Sequence, residues 1–206
     1  MAKLSFRYGA MNSGKSTLLM QAAYNYEERG MRVIVVKSAI DTKGDDQIVS
    51  RIGLSRKVDV LLQANDSAYD QIVPYLRKNI SCIFVDEAQF LMPNQVDDFF
   101  IIAKLLDTPV LCYGLRSDFK TNAFPGSLRL MEIADDLEEL VTICRCGQKA
   151  RFNGRKVNGH FVSEGAQVAI DEQEAVTYES LCGACYLDKV KNINIEEIKT
   201  LVKKIK

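Results

Sequence analysis

Three groups of residues carry side chains at spacings that could do chemistry. Gly9-Ala10-Met11-Asn12-Ser13-Gly14-Lys15-Ser16 fits the pattern G-x-x-x-x-G-K-[ST]. In such a loop backbone N–H groups cradle phosphate oxygens, the lysine reaches the β- and γ-phosphates, and the last hydroxyl ligates Mg²⁺. Gly9 and Gly14 allow the backbone conformations that aim N–H groups inward, and the helix expected after Gly14 adds its positive dipole end. By itself the loop specifies only a nucleoside triphosphate. The second group closes the apolar run Cys82-Ile83-Phe84-Val85 with Asp86-Glu87. An acid at the end of such a strand supports the magnesium ion opposite the loop, a role that fits Asp86. Glu87 would either polarise a water for hydrolysis or accept the proton of a substrate hydroxyl in line with the γ-phosphate. Residue order does not separate water from substrate.

The third group is Cys144-x-Cys146 and Cys182-x-x-Cys185, two couplets separated by a stretch of short strands and turns. Four thiolates around Zn²⁺ make a closed tetrahedral site with no open position for water, hence a structural one, and it would stabilise a segment poor in large apolar residues. A redox couple at Cys182 and Cys185 is the other reading, although nothing places it at the helix start of a thioredoxin-like unit. Cys82 and Cys112 lie in apolar runs and read as small core residues. His160, the single histidine, reads as a loop residue rather than a ligand.

These groups need a scaffold, and the first two thirds of the chain supply one. Short β-branched runs at Lys3–Tyr8, Arg32–Lys37, Ile80–Asp86 and Pro109–Tyr113 predict strands, and apolar residues at helical spacing predict helices over Lys15–Arg29, ending at Gly30, and over Pro93–Leu106. Alternation of strand and helix, with strand runs apolar throughout, predicts an α/β fold: a P-loop core with a mostly parallel buried sheet and crossover helices. Asp41 to Lys57 turns polar and reads either as a mobile loop that could lie beside the phosphate site or as a solvated connection. From Val141 the paired cysteines and frequent glycines predict a small second domain of hairpins. The expected division is residues 1–140 for the core, 141–190 for a zinc-binding domain and 191–206 for a tail. Ile195, Ile198, Leu201, Val202 and Ile205 give that tail an amphipathic helical pattern.

Composition bounds the function. The 206 residues carry 27 Lys+Arg and 27 Asp+Glu, a formal charge of zero, with 47% hydrophobic side chains. No overall field draws the chain to nucleic acid or an anionic membrane. No run approaches the roughly 20 apolar residues of a bilayer span, and the N-terminus lacks a signal-like apolar stretch. No membrane, no nucleic-acid partner and a cytoplasmic location are the expectations.

Together Phe6-Arg7-Tyr8 leading into the phosphate loop, Val85-Asp86-Glu87-Ala88-Gln89-Phe90, Tyr113-Gly114-Leu115-Arg116-Ser117-Asp118-Phe119, and the cysteine couplets with Tyr178 between them resemble the type II thymidine kinases. The resemblance runs from about Lys3 to Tyr186. It implies transfer of the γ-phosphate of ATP to the 5′-hydroxyl of thymidine, with deoxyuridine as a further acceptor. It also implies dTTP as a feedback inhibitor and a homotetramer. By the same resemblance Glu87 is the catalytic base, Asp86 and Ser16 hold Mg²⁺, and ATP meets Gly9, Met11, Asn12, Ser13, Gly14, Lys15, Ser16 and Thr17 together with Asp86, Glu87, Ala88 and Gln89. A lasso loop of about Asn158–Tyr178 would reach over the nucleoside, with Val168, Ala169, Ile170 and Tyr178 nearest it. Met11, Phe90, Leu115, Phe119, Phe124 and Tyr178 match the family's pocket, where aromatic faces suit a flat pyrimidine.

Two stretches depart from the family's pattern. Ile170 is followed by Asp171-Glu172-Gln173-Glu174 where relatives have a glycine-containing turn, and Asp41-Thr42-Lys43 stands where bacterial relatives often carry Asp-Thr-Arg. The lysine keeps the charge and loses the planar fork of arginine. Arg51 and Arg151 are available as transition-state arginines, with neither assigned. A recombinase-like ATPase acting on nucleic acid would use the same Asp86-Glu87 pair, but zero net charge and the lack of a basic stripe weigh against it. A nucleotide-sensing zinc module would leave Glu87 idle.

Overall fold

A computed structural model describes residues 1–40, 46–76, 79–167 and 175–205, with side chains as far as residue 202. Val168, Ala169 and Ile170, and the departures at Asp41–Lys43 and Asp171–Glu174, lie outside the described residues. The chain divides into two compact units: residues 1–116 with 123–140, and residues 117–122 with 141–206.

The first unit contains strands β1 (Leu4–Gly9), β2 (Arg32–Ser38), β3 (Gln47–Val49), β4 (Ser55–Lys57), β5 (Val60–Leu62), β6 (Ile80–Asp86), β7 (Val110–Gly114) and β8 (Asp136–Leu140). Its helices are α1 (Lys15–Glu27), α2 (Ala68–Leu76), α3 (Pro93–Leu105) and α4 (Pro125–Ile133). Six strands form one sheet in the order β5-β2-β6-β7-β1-β8, with every pairing parallel. Successive side chains of a strand point to opposite faces, and the core divides accordingly. Ile34, Val36, Ile83 and Val85 pack with Val96, Phe99 and Ile102 of α3 on one face. Val35, Cys82 and Phe84 pack with Leu19, Met20 and Ala23 of α1 on the other. With both faces covered, β6 needs the unbroken apolar run seen in its sequence. Cys82 and Cys112 are fully buried, as expected.

Two parts of this unit differ from the sequence-based expectation. Residues 47–57 are not simply a loop: β3 and β4 form an antiparallel hairpin turned at Gly53, whose φ of 88° is left-handed. Of its strand residues only Ile48 is fully buried, so three-residue strands leave no period to read. The edge strand β8, Asp136-Leu137-Glu138-Glu139-Leu140, was not among the expected strands, yet it pairs with β1. Its acids meet basic residues flanking or within that strand, Lys3 with Asp136 at 3.1 Å and Arg7 with Glu138 at 2.8 Å. Charge on a sheet edge also discourages further strand pairing.

The second unit has two small antiparallel sheets, β9 (Thr142–Ile143) with β10 (Lys149–Ala150), and β11 (Phe152–Val157) between β12 (His160–Val162) and β13 (Val176–Leu181). Asn158 and Gly159 take φ of 50° and 83°, the two left-handed residues of a tight hairpin turn joining β11 to β12. Helix α5 (Gly183–Lys189) follows, and the expected tail helix is α6 (Ile195–Ile205), set apart from α5 by a turn in which Asn192 is left-handed. The core is small: Ala150, Leu181, Tyr186 and Val190 gather with Cys144 and Cys182, and Phe152 stacks on Tyr186 at 5.2 Å. Residues 117–122 are tied into this unit by Tyr186, whose hydroxyl donates to the Phe119 carbonyl at 2.8 Å, and by Asn153, whose amide donates to the Ser117 carbonyl at 3.0 Å. No helix among the described residues is long and apolar enough to cross a membrane.

Candidate active site and thiol cluster

The phosphate loop leaves the C-terminal end of β1 and enters α1. Gly14 caps that helix in the left-handed region, at φ 76°, and Asn12 is left-handed at 65°. Gly9 is needed for a different reason: its φ is ordinary, but a Cβ there would stand 2.5 Å from Ser13 Oγ and 2.6 Å from the Leu140 carbonyl oxygen. Close approach, not freedom of φ, is what this position requires. Lys15 is buried, and its ammonium donates to the Ala10 carbonyl at 2.9 Å and to Ser13 Oγ at 3.3 Å. Burial lowers its pKa, partly offset by the charges of Glu87 and Asp86, and the charge of Arg51 acts with burial.

Asp86 ends β6 and is almost wholly buried. Burial first, and then the charge of Glu87, push its pKa up to about 7, while the backbone N–H of Glu87, the Ser16 hydroxyl and Lys15 act in the opposite direction. A carboxylate under that strain, hydrogen-bonded to the Ser16 hydroxyl, matches the oxygen donors that Mg²⁺ takes. Glu87 follows in the left-handed region (φ 49°, ψ 39°) and opens a short 3₁₀ turn, Ala88–Phe90. Gln89 hydrogen-bonds the Glu87 carboxylate and, through Oε1, accepts from the Leu115 N–H at 3.0 Å.

A cavity of about 480 Å³ joins these groups. Met11, Asn12, Gly14, Lys15, Ser16 and Thr17 line it from the loop and α1, and Asp86, Glu87, Gln89, Phe90 and Leu115 from the strand ends. Gly9, Ser13 and Ala88 do not line it; Ser13 accepts from the Lys15 ammonium, and Ala88 is buried in the core. Phe124 packs edge-on against Phe90, ring centres 5.6 Å apart. Phe119 and Tyr178 belong to the second unit, where Arg155 joins them. Its guanidinium lies 3.9 Å from the Phe119 ring centre, and its Nε donates to the Tyr178 hydroxyl at 3.0 Å.

Sequence reasoning missed Lys37 and Ser50 on the cavity wall and left Arg51, also there, without a role. Lys37 is fully buried and its ammonium donates to the Gln47 carbonyl at 3.2 Å. It pairs in register with Asp86. The signal was present: a charged residue closes the apolar run Val33-Ile34-Val35-Val36, just as Asp86 closes β6. Arg151 stands in the second unit, between β10 and β11.

In the second unit the four cysteines converge. Their sulfurs all lie within 4.8 Å of one another, and Cys146 and Cys182 are 3.5 Å apart. Four ligands bonded at about 2.3 Å to one tetrahedral ion would stand about 3.8 Å apart, so the arrangement fits zinc. The couplets use two devices. Cys144 to Gln148 closes a tight turn, with the Cys144 N–H donating to Gln148 and the Gly147 N–H to Cys144, Gly147 being left-handed at φ 86°. Cys182 caps α5, accepting the Cys185 N–H on its sulfur at 3.4 Å. Burial would raise the Cys144 thiol, but hydrogen bonds from the Cys146 and Cys182 backbone and the neighbouring thiols bring it to about 7. Burial and hydrogen bonds with the other three cysteines push Cys185 up to about 12. Thiols packed so closely ionise together only around a cation. His160 begins β12, exposed and outside the cluster.

A phosphate loop at the end of a parallel strand, facing an Asp-Glu pair two strands away of which Asp86 is buried and Glu87 partly open, defines a P-loop protein of the nucleotide-binding α/β class. A family model described as thymidine kinase matches residues 2–186. Thymidine kinases of Ruegeria pomeroyi (46% identical, 88% of this chain and 92% of the relative), Haemophilus influenzae strain Rd (44%, 94% and 100%) and Rhizobium meliloti (45%, 93% and 99%) are similar over most of their lengths. The chain belongs to the thymidine kinase family.

Proposed function

We propose that this chain transfers the γ-phosphoryl group of ATP to the 5′-hydroxyl of thymidine, giving dTMP and ADP. The observation that carries the reading is Glu87, an acid held on the wall of a cavity that Lys15 and Asp86 also line. Glu87 accepts the proton of the 5′-hydroxyl while the new O–P bond forms and the bond between the γ-phosphorus and the ADP oxygen breaks. Lys15 and the loop N–H groups bind the phosphates. Asp86 and Ser16 would hold Mg²⁺, which supplies charge neutralisation at the transferring group when bound. Met11, Phe90 and Leu115 are the nucleoside-facing residues of the first unit, with Phe124 supporting Phe90. For Phe119, Tyr178 and Val168–Ile170 a nucleoside-binding role rests on the family resemblance alone, as does deoxyuridine as a second acceptor.

Residues 1–140, apart from 117–122, which group with the second unit, form the catalytic core in this reading, 141–190 the lasso domain held by structural zinc on Cys144, Cys146, Cys182 and Cys185, and 191–206 the tail. A cytoplasmic location suits a site that needs its thiols reduced. Family resemblance supports a homotetramer and inhibition by dTTP, which sedimentation and competition against ATP would check.

Thymidine-dependent release of ADP is the decisive assay. Glu87→Gln should lower kcat by about 10²–10⁴-fold, the usual worth of a general base, while Mg·ATP binding stays near the parent value. Undiminished turnover would remove Glu87 from the mechanism. Hydrolysis stimulated by DNA but not by thymidine would replace the reading altogether.

A further inference from the structure

Gln89 was expected only as a nucleotide contact, yet its surroundings give it a different task. It is fully buried at the centre of the 3₁₀ turn. That turn is held between two glycines. A Cβ on Gly114 would stand 2.8 Å from Gln89 Oε1 and 3.0 Å from its N, and one on Gly126 would stand 2.5 Å from the Ala88 carbonyl oxygen and 2.6 Å from that of Leu91. Close packing on both sides leaves the Gln89 side chain little room to turn.

Its amide has one orientation. The Leu115 N–H can only donate, so the amide atom facing it is the carbonyl oxygen, at 3.0 Å. The NH₂ group then faces the Glu87 carboxylate and donates to Oε2. Leu115 is itself anchored, its carbonyl accepting the Ser127 hydroxyl, and Ser127 is fully buried in α4. A rigid relay thus runs from α4 through the end of β7 to one oxygen of Glu87.

We propose that Gln89 is a positioning residue for the general base: its amide, oriented by the Leu115 N–H, holds one carboxylate oxygen of Glu87 and leaves the other turned to the substrate hydroxyl. This rests on the reading of Glu87 as the base. Such a hold matters because a left-handed glutamate at the start of a short turn has a flexible side chain, and proton transfer requires the reacting atoms at hydrogen-bonding distance.

Two variants of the full chain separate positioning from packing. Gln89→Glu keeps an acceptor for the Leu115 N–H and places a second carboxylate where the donor to Glu87 stood; Gln89→Leu removes both bonds. With Mg·ATP and thymidine, both should lose kcat by about 100-fold, the scale of a small misplacement, with each KM within about twofold of the parent. In a Glu87→Gln background neither should cost anything further, because the group they act through is gone. Parent-like kcat in Gln89→Glu, a loss that multiplies in the double variant, or a loss carried by KM for ATP would overturn the proposal. Parent-like turnover in Glu87→Gln alone would instead overturn the general-base reading, so the two failures are distinguishable.

Discussion

The phosphate loop and the cysteine cluster are each assembled from short stretches of sequence, and each gathers groups that resist being together. They differ in what holds them. The loop grows from a parallel sheet with apolar side chains packed on both faces, so Lys15 and Asp86 are held in place by a core that does not depend on them. The cluster sits in a unit whose apolar core is itself partly made of cysteines. The first site is a passenger on its fold, and the second, with zinc bound as proposed, would be a large part of what makes its fold possible.

Chelation tests this contrast most severely. Structural zinc contributes apparent binding energies of about 10–16 kcal/mol in small metal-dependent folds. On the proposed zinc reading, chelation should therefore abolish hydrogen-exchange protection across β11, β13 and α5, while β1, β6 and β7 keep theirs. Protection that survives metal removal in both units would erase the distinction. A smaller effect is expected from Gly9→Ala, whose added methyl meets the Leu140 carbonyl oxygen, a backbone atom with little freedom to move. Overpacking of this kind costs about 1–3 kcal/mol, measurable by denaturant titration, and ATP affinity should fall with it. A loss confined to ATP binding would show the loop to be less firmly built into the core than its packing indicates.

The smallest effect concerns Asp135. The Lys104 ammonium first, together with the Leu4 N–H, holds its carboxyl below the ordinary carboxylate range. Its folded pKa lies below its unfolded one, so its contribution is complete above about pH 4 and is lost as pH falls through the folded value. Asp135→Asn should flatten that acid limb and cost under about 1 kcal/mol at neutral pH, as partly exposed pairs do. A large loss would mean that the first unit leans on one ion pair near its edge strand.

The phosphate loop, the Asp86-Glu87 pair and the cysteine couplets were legible because each lies within a few consecutive residues, and the sheet because β2, β6 and β7 announce themselves as apolar runs. Legibility stopped where partners are distant in sequence. Lys37 becomes a cavity residue only through the register that sets it beside Asp86, and Gln89 acquires its relay only because Leu115 lies beyond the end of β7. Strand β8 was hidden by its own charges, whose partners Lys3 and Arg7 lie at the start of the chain. The grouping of residues 117–122 with the second unit was equally invisible, since they fall in the middle of the core's sequence.

That grouping bears on how the protein is made. During synthesis residues 117–122 leave the ribosome well before their partners, because Asn153 and above all Tyr186 must still be translated before they can bond Ser117 and Phe119. The parallel sheet has its last strand once Leu140 has emerged. The parallel sheet can therefore be complete before residues 117–122 find their partners, and with zinc on the four cysteines, as proposed, metal capture would come after it, once Cys182 and Cys185 arrive.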